Sequence, residues 1–206
     1  MDNIIIRPAV AQSAGDAQAF SEFAEMAAGG LFTQMLGGKA RSILAKMFGQ
    51  TANDYSFEYT RFITVDDQIA GMISGYINKQ KKTNQQRTHW LFLRYGTWRI
   101  VRLWAVAFML RQVFDFMDQI EENAYYIQMV GLYSQFRGRG LSKVLLTDAE
   151  NTARQMGCAS LALDVDIHNN IAIAAYQSYG FHIAASSPLV KSGKDEFAVH
   201  RMVKTL

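Results

Sequence analysis

Between Tyr125 and Gly157 the chain changes periodicity twice. It passes from a run of β-favouring residues, Tyr125 to Leu132, through the hexapeptide Gln135-Phe136-Arg137-Gly138-Arg139-Gly140. It then enters a stretch in which Leu141, Val144, Leu145, Ala149, Ala153 and Met156 recur at helical spacing. Strand, glycine turn and helix, in that order, confine the fold to one that combines helices with a sheet. Gly138 and Gly140 let the backbone approach a ligand with no Cβ in the way, and the helix that follows aims its orphan N–H groups at the same place. Such a turn suits a pyrophosphate, with Arg137 and Arg139 adding charge at its rim. The competing reading is a tight turn with two solvated arginines.

A second unit of the same kind follows. Leu161-Ala162-Leu163-Asp164-Val165 alternates like a strand, and Asn169-Asn170-Ile171-Ala172-Ile173-Ala174-Ala175-Tyr176-Gln177-Ser178-Tyr179-Gly180-Phe181 reads as a short helix ending in a Gly-Phe strand. The two units together resemble the GNAT superfamily of acyl-CoA-dependent N-acetyltransferases. Its first motif is Gln/Arg-x-x-Gly-x-Gly/Ala and its second is Asn-x-x-Ala-Ile-x-x-Tyr ending in Gly-Phe. The resemblance is clear over residues 124–206 and looser before them.

The resemblance implies acetyl-CoA as acyl donor, with backbone N–H groups from Arg137 through Gly138, Arg139, Gly140 and Leu141 to Ser142 on its pyrophosphate. Gln135 opens that motif, the strand edge at Leu132 would pair with the pantetheine arm, and Asn169 would contact the same arm. Ser142 and Ala175 depart from the family pattern, where a glycine or alanine and a larger apolar residue are usual. Direct attack by an amine needs a polarised thioester carbonyl, a neutral nucleophile and a proton for the leaving thiolate. A backbone N–H near Leu132 would take the carbonyl oxygen, and Tyr176 falls where the family has a tyrosine that protonates the departing sulfur. Asp164 is the first choice for the base, acting through water, with His168, Asp166 and Glu58 behind it. The expected activity is acetyl transfer to an amine of a small molecule or of a peptide or protein. A non-catalytic acyl-CoA sensor is the alternative, and a nucleic-acid module is less favoured.

That last alternative arises because Gln68 to Phe114 contains no Asp or Glu, while Lys79, Lys81, Lys82, Arg87, Arg94, Arg99, Arg102 and Arg111 lie within it among Trp90, Phe92, Tyr95, Trp98 and Trp104. A basic lining for an anionic cofactor accounts for the same pattern. With 206 residues, half of them hydrophobic, the chain can bury a sizeable core and is read as one domain, 1–206. The amino terminus shows no secretory signal pattern, which predicts a cytoplasmic protein. Cys158 is the only cysteine, and His89, His168, His182 and His200 lack ligand spacing, so no metal site is expected.

Along the rest of the chain, Ile4 to Ala9 reads as a strand, Asp16 to Ala28 and Lys39 to Phe48 as helices, and Glu58 to Val65 with Ile69 to Ile77 as a hairpin. Asn78 to His89 is polar and reads as a loop. Thr97 to Ile120 is apolar, and its charges exclude a membrane span; it reads as an extra helix beside the acceptor end of the sheet, open to a homodimer contact. Glu196 to Val203 alternates as a closing strand. The architecture expected is α/β of the α+β type: a mixed, mostly antiparallel central sheet flanked by helices, with the extra helical segment before the cofactor-binding strand.

Overall fold

The computed structural model describes residues 2–96, 100–192 and 195–206. In chain order the elements are β1 (Ile4–Pro8), α1 (Ala14–Ala27), α2 (Leu31–Leu36), α3 (Ala40–Phe48), β2 (Thr60–Val65), β3 (Gln68–Ile77), α4 (Asn78–Gly96), α5 (Ile100–Met109) and α6 (Arg111–Met117). They continue with β4 (Ala124–Leu132), α7 (Leu141–Gln155), β5 (Ser160–Asp166), α8 (Asn170–Ser178), β6 (His182–Ser186), β7 (Val190–Ser192), β8 (Asp195–Phe197) and β9 (Val199–Thr205). The main sheet has the order β1-β2-β3-β4-β5-β9-β6, and β7 and β8 form a separate ribbon. Every neighbouring pair in the main sheet is antiparallel except β4 with β5. That one parallel pair requires a crossover, which α7 supplies. The mixed, mostly antiparallel sheet flanked by helices is the architecture the sequence predicts.

The two faces of the sheet are covered by different helices. On one, Leu141, Leu145, Ala149 and Ala153 of α7 pack with Ile173 of α8 against Ile73, Ile127, Leu163 and Met202. On the other, Phe20, Phe23, Leu44 and Met47 of α1 and α3 pack against Phe62, Met72 and Met129, with Leu91 and Phe92 of α4 joining them. A smaller cluster of Tyr76, Ile120, Ala124, Tyr126 and Ala162 extends that second face. Alternation along β3 places Met72, Ser74 and Tyr76 on the same side. The β2–β3 hairpin turns through Asp66 and Asp67, whose φ angles of 48° and 64° are those a two-residue primed turn demands.

Two expectations are corrected. Asn78 to His89 is not a loop but most of α4, and three of its polar residues are spent inside the protein: Asn78 Nδ2 donates to the Ile120 carbonyl at 2.6 Å, Asn84 Nδ2 to Tyr59 Oη at 2.9 Å, and Thr88 Oγ1 accepts from Asp54 N at 2.9 Å. At these three positions polarity marks buried hydrogen bonding, while most of the helix's other described polar residues face outward. The single helix expected over Thr97 to Ile120 is two, α5 and α6, which meet at Leu110; residues 97–99 lie outside the described residues. α5 packs on α2, with Leu103 and Val106 turned into the α1–α3 cluster. The short helix α2 and the β7–β8 ribbon are additions to the sequence reading.

Candidate functional site

After β4 the chain makes a 3-10 turn at Ser134–Phe136, buries Phe136, and enters α7 through Gly138 and Gly140. Both glycines are left-handed, with φ of 75° and 77°, and a Cβ at either would meet no atom within 4 Å. The glycines therefore satisfy the turn and leave the space beside it open. Gly140 is the residue before α7 and provides no side-chain cap. Its carbonyl accepts from Lys143 N and Val144 N, whereas the N–H groups from Gly138 through Ser142 donate to no acceptor among the described residues. Five donors at the start of a fifteen-residue helix form an anion site by geometry and dipole together. The cradle thus fits a pyrophosphate such as that of CoA.

The side chains expected there are arranged unequally. Gln135, Arg137, Arg139 and Ser142 are at or near the surface and Leu141 is buried against the sheet. Arg137 Nε donates to the Leu132 carbonyl at 3.2 Å, while Arg139 lies over the Phe136 ring and 3.4 Å from Asp2. The arginines therefore brace the turn, and the backbone lines it.

β4 and β5 pair only from Ala124 with Ser160 to Ile127 with Leu163. Beyond that point Gln128 to Leu132 continues along β3 without a partner on its other side, which leaves a strand edge running up to the cradle. The divergence begins at a bulge: Ser74 pairs with Met129 and Gly75 with Ile127, so Gln128 is the extra residue. Ser74 Oγ and Gln128 Oε1 are both buried and both lack a hydrogen-bond partner among the described residues. Buried polar atoms are normally satisfied, and these two orphans lie at one bulge. Sequence reasoning missed both, although Gln128 stands as the lone amide in the apolar run Tyr125 to Leu132.

Tyr176 lies on α8, partly buried against the α7-side core, with its ring edge-on to Phe181 at 5.9 Å. Desolvation pushes its phenol up to about 12, which keeps the proton on the oxygen through the neutral range. Asn169 caps α8, its Oδ1 accepting from Ala172 N at 3.2 Å. Its amide nitrogen is left for another acceptor.

Asp164 has a different occupation from the one expected. Arg201 grips it from β9, Nε to Oδ1 at 2.6 Å and Nη2 to Oδ2 at 3.0 Å, and Tyr126 Oη donates to Oδ2 at 3.0 Å. The Asp164 side chain is 1% exposed and that of Arg201 8%. The rest of the guanidinium donates to the carbonyls of Phe116, Met117 and Gln119, at and just beyond the end of α6. This is a buried clamp that fastens the extra segment to the sheet, and three hydrogen bonds occupy most of the carboxylate's accepting capacity. The other carboxylates named for that role are also engaged or peripheral. Glu58 accepts from Ala52 N and Ser56 Oγ, and exposed Asp166 accepts from His168 N. His168 is itself exposed, 3.8 Å from Glu196. No group of three or more metal-ligating side chains occurs among the described residues.

Known proteins resemble this chain in sequence and in fold. The model of the Acetyltransferase (GNAT) family matches residues 41–181. The uncharacterized N-acetyltransferase YdgE of Bacillus subtilis (strain 168) is 41% identical over 56 residues, 27% of this chain and 36% of the relative. Mycothiol acetyltransferase of Corynebacterium glutamicum (strain R) is 36% identical over 73 residues, 35% of this chain and 25% of the relative. The matches thus span about a third or less of these curated relatives. Among solved structures, an acetyltransferase superposes with a TM-score of 0.67 at 19% identity, covering 98% of both chains. An N-acetyltransferase from Staphylococcus aureus Mu50 does so with a TM-score of 0.66 at 16% identity, covering 97% of this chain and 99% of that one. At such identities the likeness concerns the fold.

Proposed function

Because the chain belongs to the acetyltransferase (GNAT) family, we propose that it is an N-acetyltransferase, a single domain over 1–206 that moves an acetyl group from acetyl-CoA to an amine. One observation carries this reading: an anion cradle of five unpartnered N–H groups stands at the end of a strand edge that has lost its parallel neighbour. A pyrophosphate on the first and an amide-bearing arm along the second describe CoA and few other cofactors. The N–H groups from Gly138 to Ser142 would hold the pyrophosphate, and the β4 edge toward Leu132 with Asn169 Nδ2 would hold the arm. When bound, acetyl-CoA supplies a thioester carbonyl whose carbon an amine can attack.

The chain's own groups then have separate tasks. A backbone N–H of the free β4 edge, between Gln128 and Leu132, is placed to take up charge that develops on the carbonyl oxygen, an effect worth a few kcal/mol in such sites. Tyr176 Oη holds its proton through neutral pH and would donate a hydrogen bond to the departing sulfur, whose thiolate then takes its proton from water. Ser74 Oγ and Gln128 Oε1, buried and unpaired, would accept from the N–H groups of an amine that reaches the bulge. With Asp164 committed to Arg201, the amine enters already neutral, its proton lost to water. The acid limb of the pH profile therefore follows the acceptor's pKa and not that of an enzyme group. We place the protein in the cytoplasm, where its donor is made.

The deciding experiment is acetyl-CoA-dependent thiol release across peptide amino termini, polyamines and amino acids, with Tyr176→Phe alongside. Turnover with one class, and a kcat lowered about tenfold to a hundredfold in Tyr176→Phe with CoA affinity unchanged, is the expected result. CoA binding with no turnover on any class would return the protein to the acyl-CoA sensor reading.

A further inference from the structure

α5 is apolar on both its sides. Its inner residues Leu103 and Val106 pack into the α1–α3 cluster, yet Val101, Trp104 and Phe108, which recur along its outer side, are 75%, 63% and 77% exposed. Three large apolar side chains in one row on a ten-residue helix are more than the scattered exposure of an ordinary surface. The row lies within the acid-free stretch Gln68 to Phe114, and exposed Arg102 stands beside it. In the last turns of α4, exposed Arg94 lies 5.1 Å from the ring centroid of Trp90, itself half exposed. Apolar side chains flanked by cations, with a tryptophan among them, fit the boundary between lipid headgroups and acyl chains.

We propose that the outer face of α5, with the end of α4, is a docking surface for an anionic lipid bilayer. Charge complementarity selects this occupant. A second copy of the chain in a symmetric dimer would bring the arginines of two acid-free stretches together, with no acid in either to pair with them. A nucleic acid would be met by a helix that offers one arginine and three apolar side chains, the reverse of a phosphate-tracking surface. No described helix is long and apolar enough to cross a membrane, so the helix lies on the bilayer and does not enter it lengthwise. The bilayer surface would then hold the enzyme, with the opposite side of the sheet left to α7 and the cradle.

The test uses the full chain and sedimentation with vesicles of phosphatidylcholine alone or with about 30% phosphatidylserine, at roughly 0.1 M and 0.5 M salt. Binding at least tenfold stronger to the anionic vesicles is expected, weakened by salt, with tryptophan emission shifted to the blue. Trp104→Glu with Phe108→Glu, and separately Arg94→Glu with Arg102→Glu, should each reduce it at least tenfold. The altered side chains are exposed, so circular dichroism and the unfolding midpoint should match the wild type, which separates lost docking from lost folding. Equal or absent binding to the two vesicle types overturns the proposal, as does binding that survives the Trp104→Glu, Phe108→Glu change. A dimer that the same change dissociates, or single-stranded RNA binding that the arginine changes abolish without vesicle binding, also overturns it. None of these readouts depends on acetyl transfer.

Discussion

Asp164 shows how much a single carboxylate's partners decide. Gripped by Arg201 and by Tyr126 at 1% exposure, it stands on the strand beside the bulge and holds the cation that ties down the end of α6. Removing one member of a buried pair leaves the other charge uncompensated, so Asp164→Asn is expected to cost about 3–5 kcal/mol in urea unfolding. The acid limb of kcat/KM should stay where the acceptor amine puts it; a limb that vanishes in a variant of full stability would restore Asp164 as base. Gly140 supports the opposite experiment. A Cβ there meets nothing in the protein but points into the space beside the helix start, so Gly140→Val should fold at a cost of about 1–2 kcal/mol in left-handed strain and lose CoA affinity at least tenfold by titration calorimetry.

At the scale of elements, β4 is the strand on which the site depends, and its bulge leaves Ser74 Oγ and Gln128 Oε1 buried and unpaired. An unpaired buried hydroxyl costs about 1–3 kcal/mol, so Ser74→Ala is expected to leave stability unchanged or raise it, while KM for the amine rises and KM for acetyl-CoA does not. Reduced stability in that variant would mean that Ser74 already has a partner. What could be read from the sequence follows from the range of the forces involved. The β4, cradle and α7 unit was legible because its signals, two glycines and two periodicities, lie next to one another in the chain. α4 was not, because Asn78, Asn84 and Thr88 look like loop residues until the distant groups they bond, the Ile120 carbonyl, Tyr59 and Asp54, are known. Asp164 and Arg201 are 37 residues apart, and strand register joins them, which no local pattern reports. The bulge is itself a register shift and was invisible for the same reason.

Across the whole molecule, Glu150 of α7 joins three elements: its carboxylate accepts from Lys204 of β9 at 2.6 Å, from Tyr179 beyond α8 at 2.8 Å, and from Arg154 at 2.9 Å. Burial pushes this carboxyl up, but those donors outweigh it and hold it at about 2. The folded state therefore favours the ionised form. Its stabilisation is complete above the unfolded value of about 4.3 and is lost as pH falls from there toward 2. Chemical unfolding of wild type and Glu150→Gln at successive pH values should show a constant difference from pH 7 to about 5 that closes on further acidification. A gap that persists at pH 2 would assign the stabilisation to packing.

The short β4–β5 pairing has a consequence for how the molecule is joined. β1 to β4 form one antiparallel half of the sheet and β5, β9 and β6 another, and four residue pairs are the seam between them. Along the rest of that line the sheet is unlaced. An extended ligand lying in the gap would offer its amides where a neighbouring strand is missing and so draw the two halves together as a lace does. The donor of the acetyl group would then also be a temporary strand of the sheet, and each departure of CoA would unfasten the enzyme along its own midline.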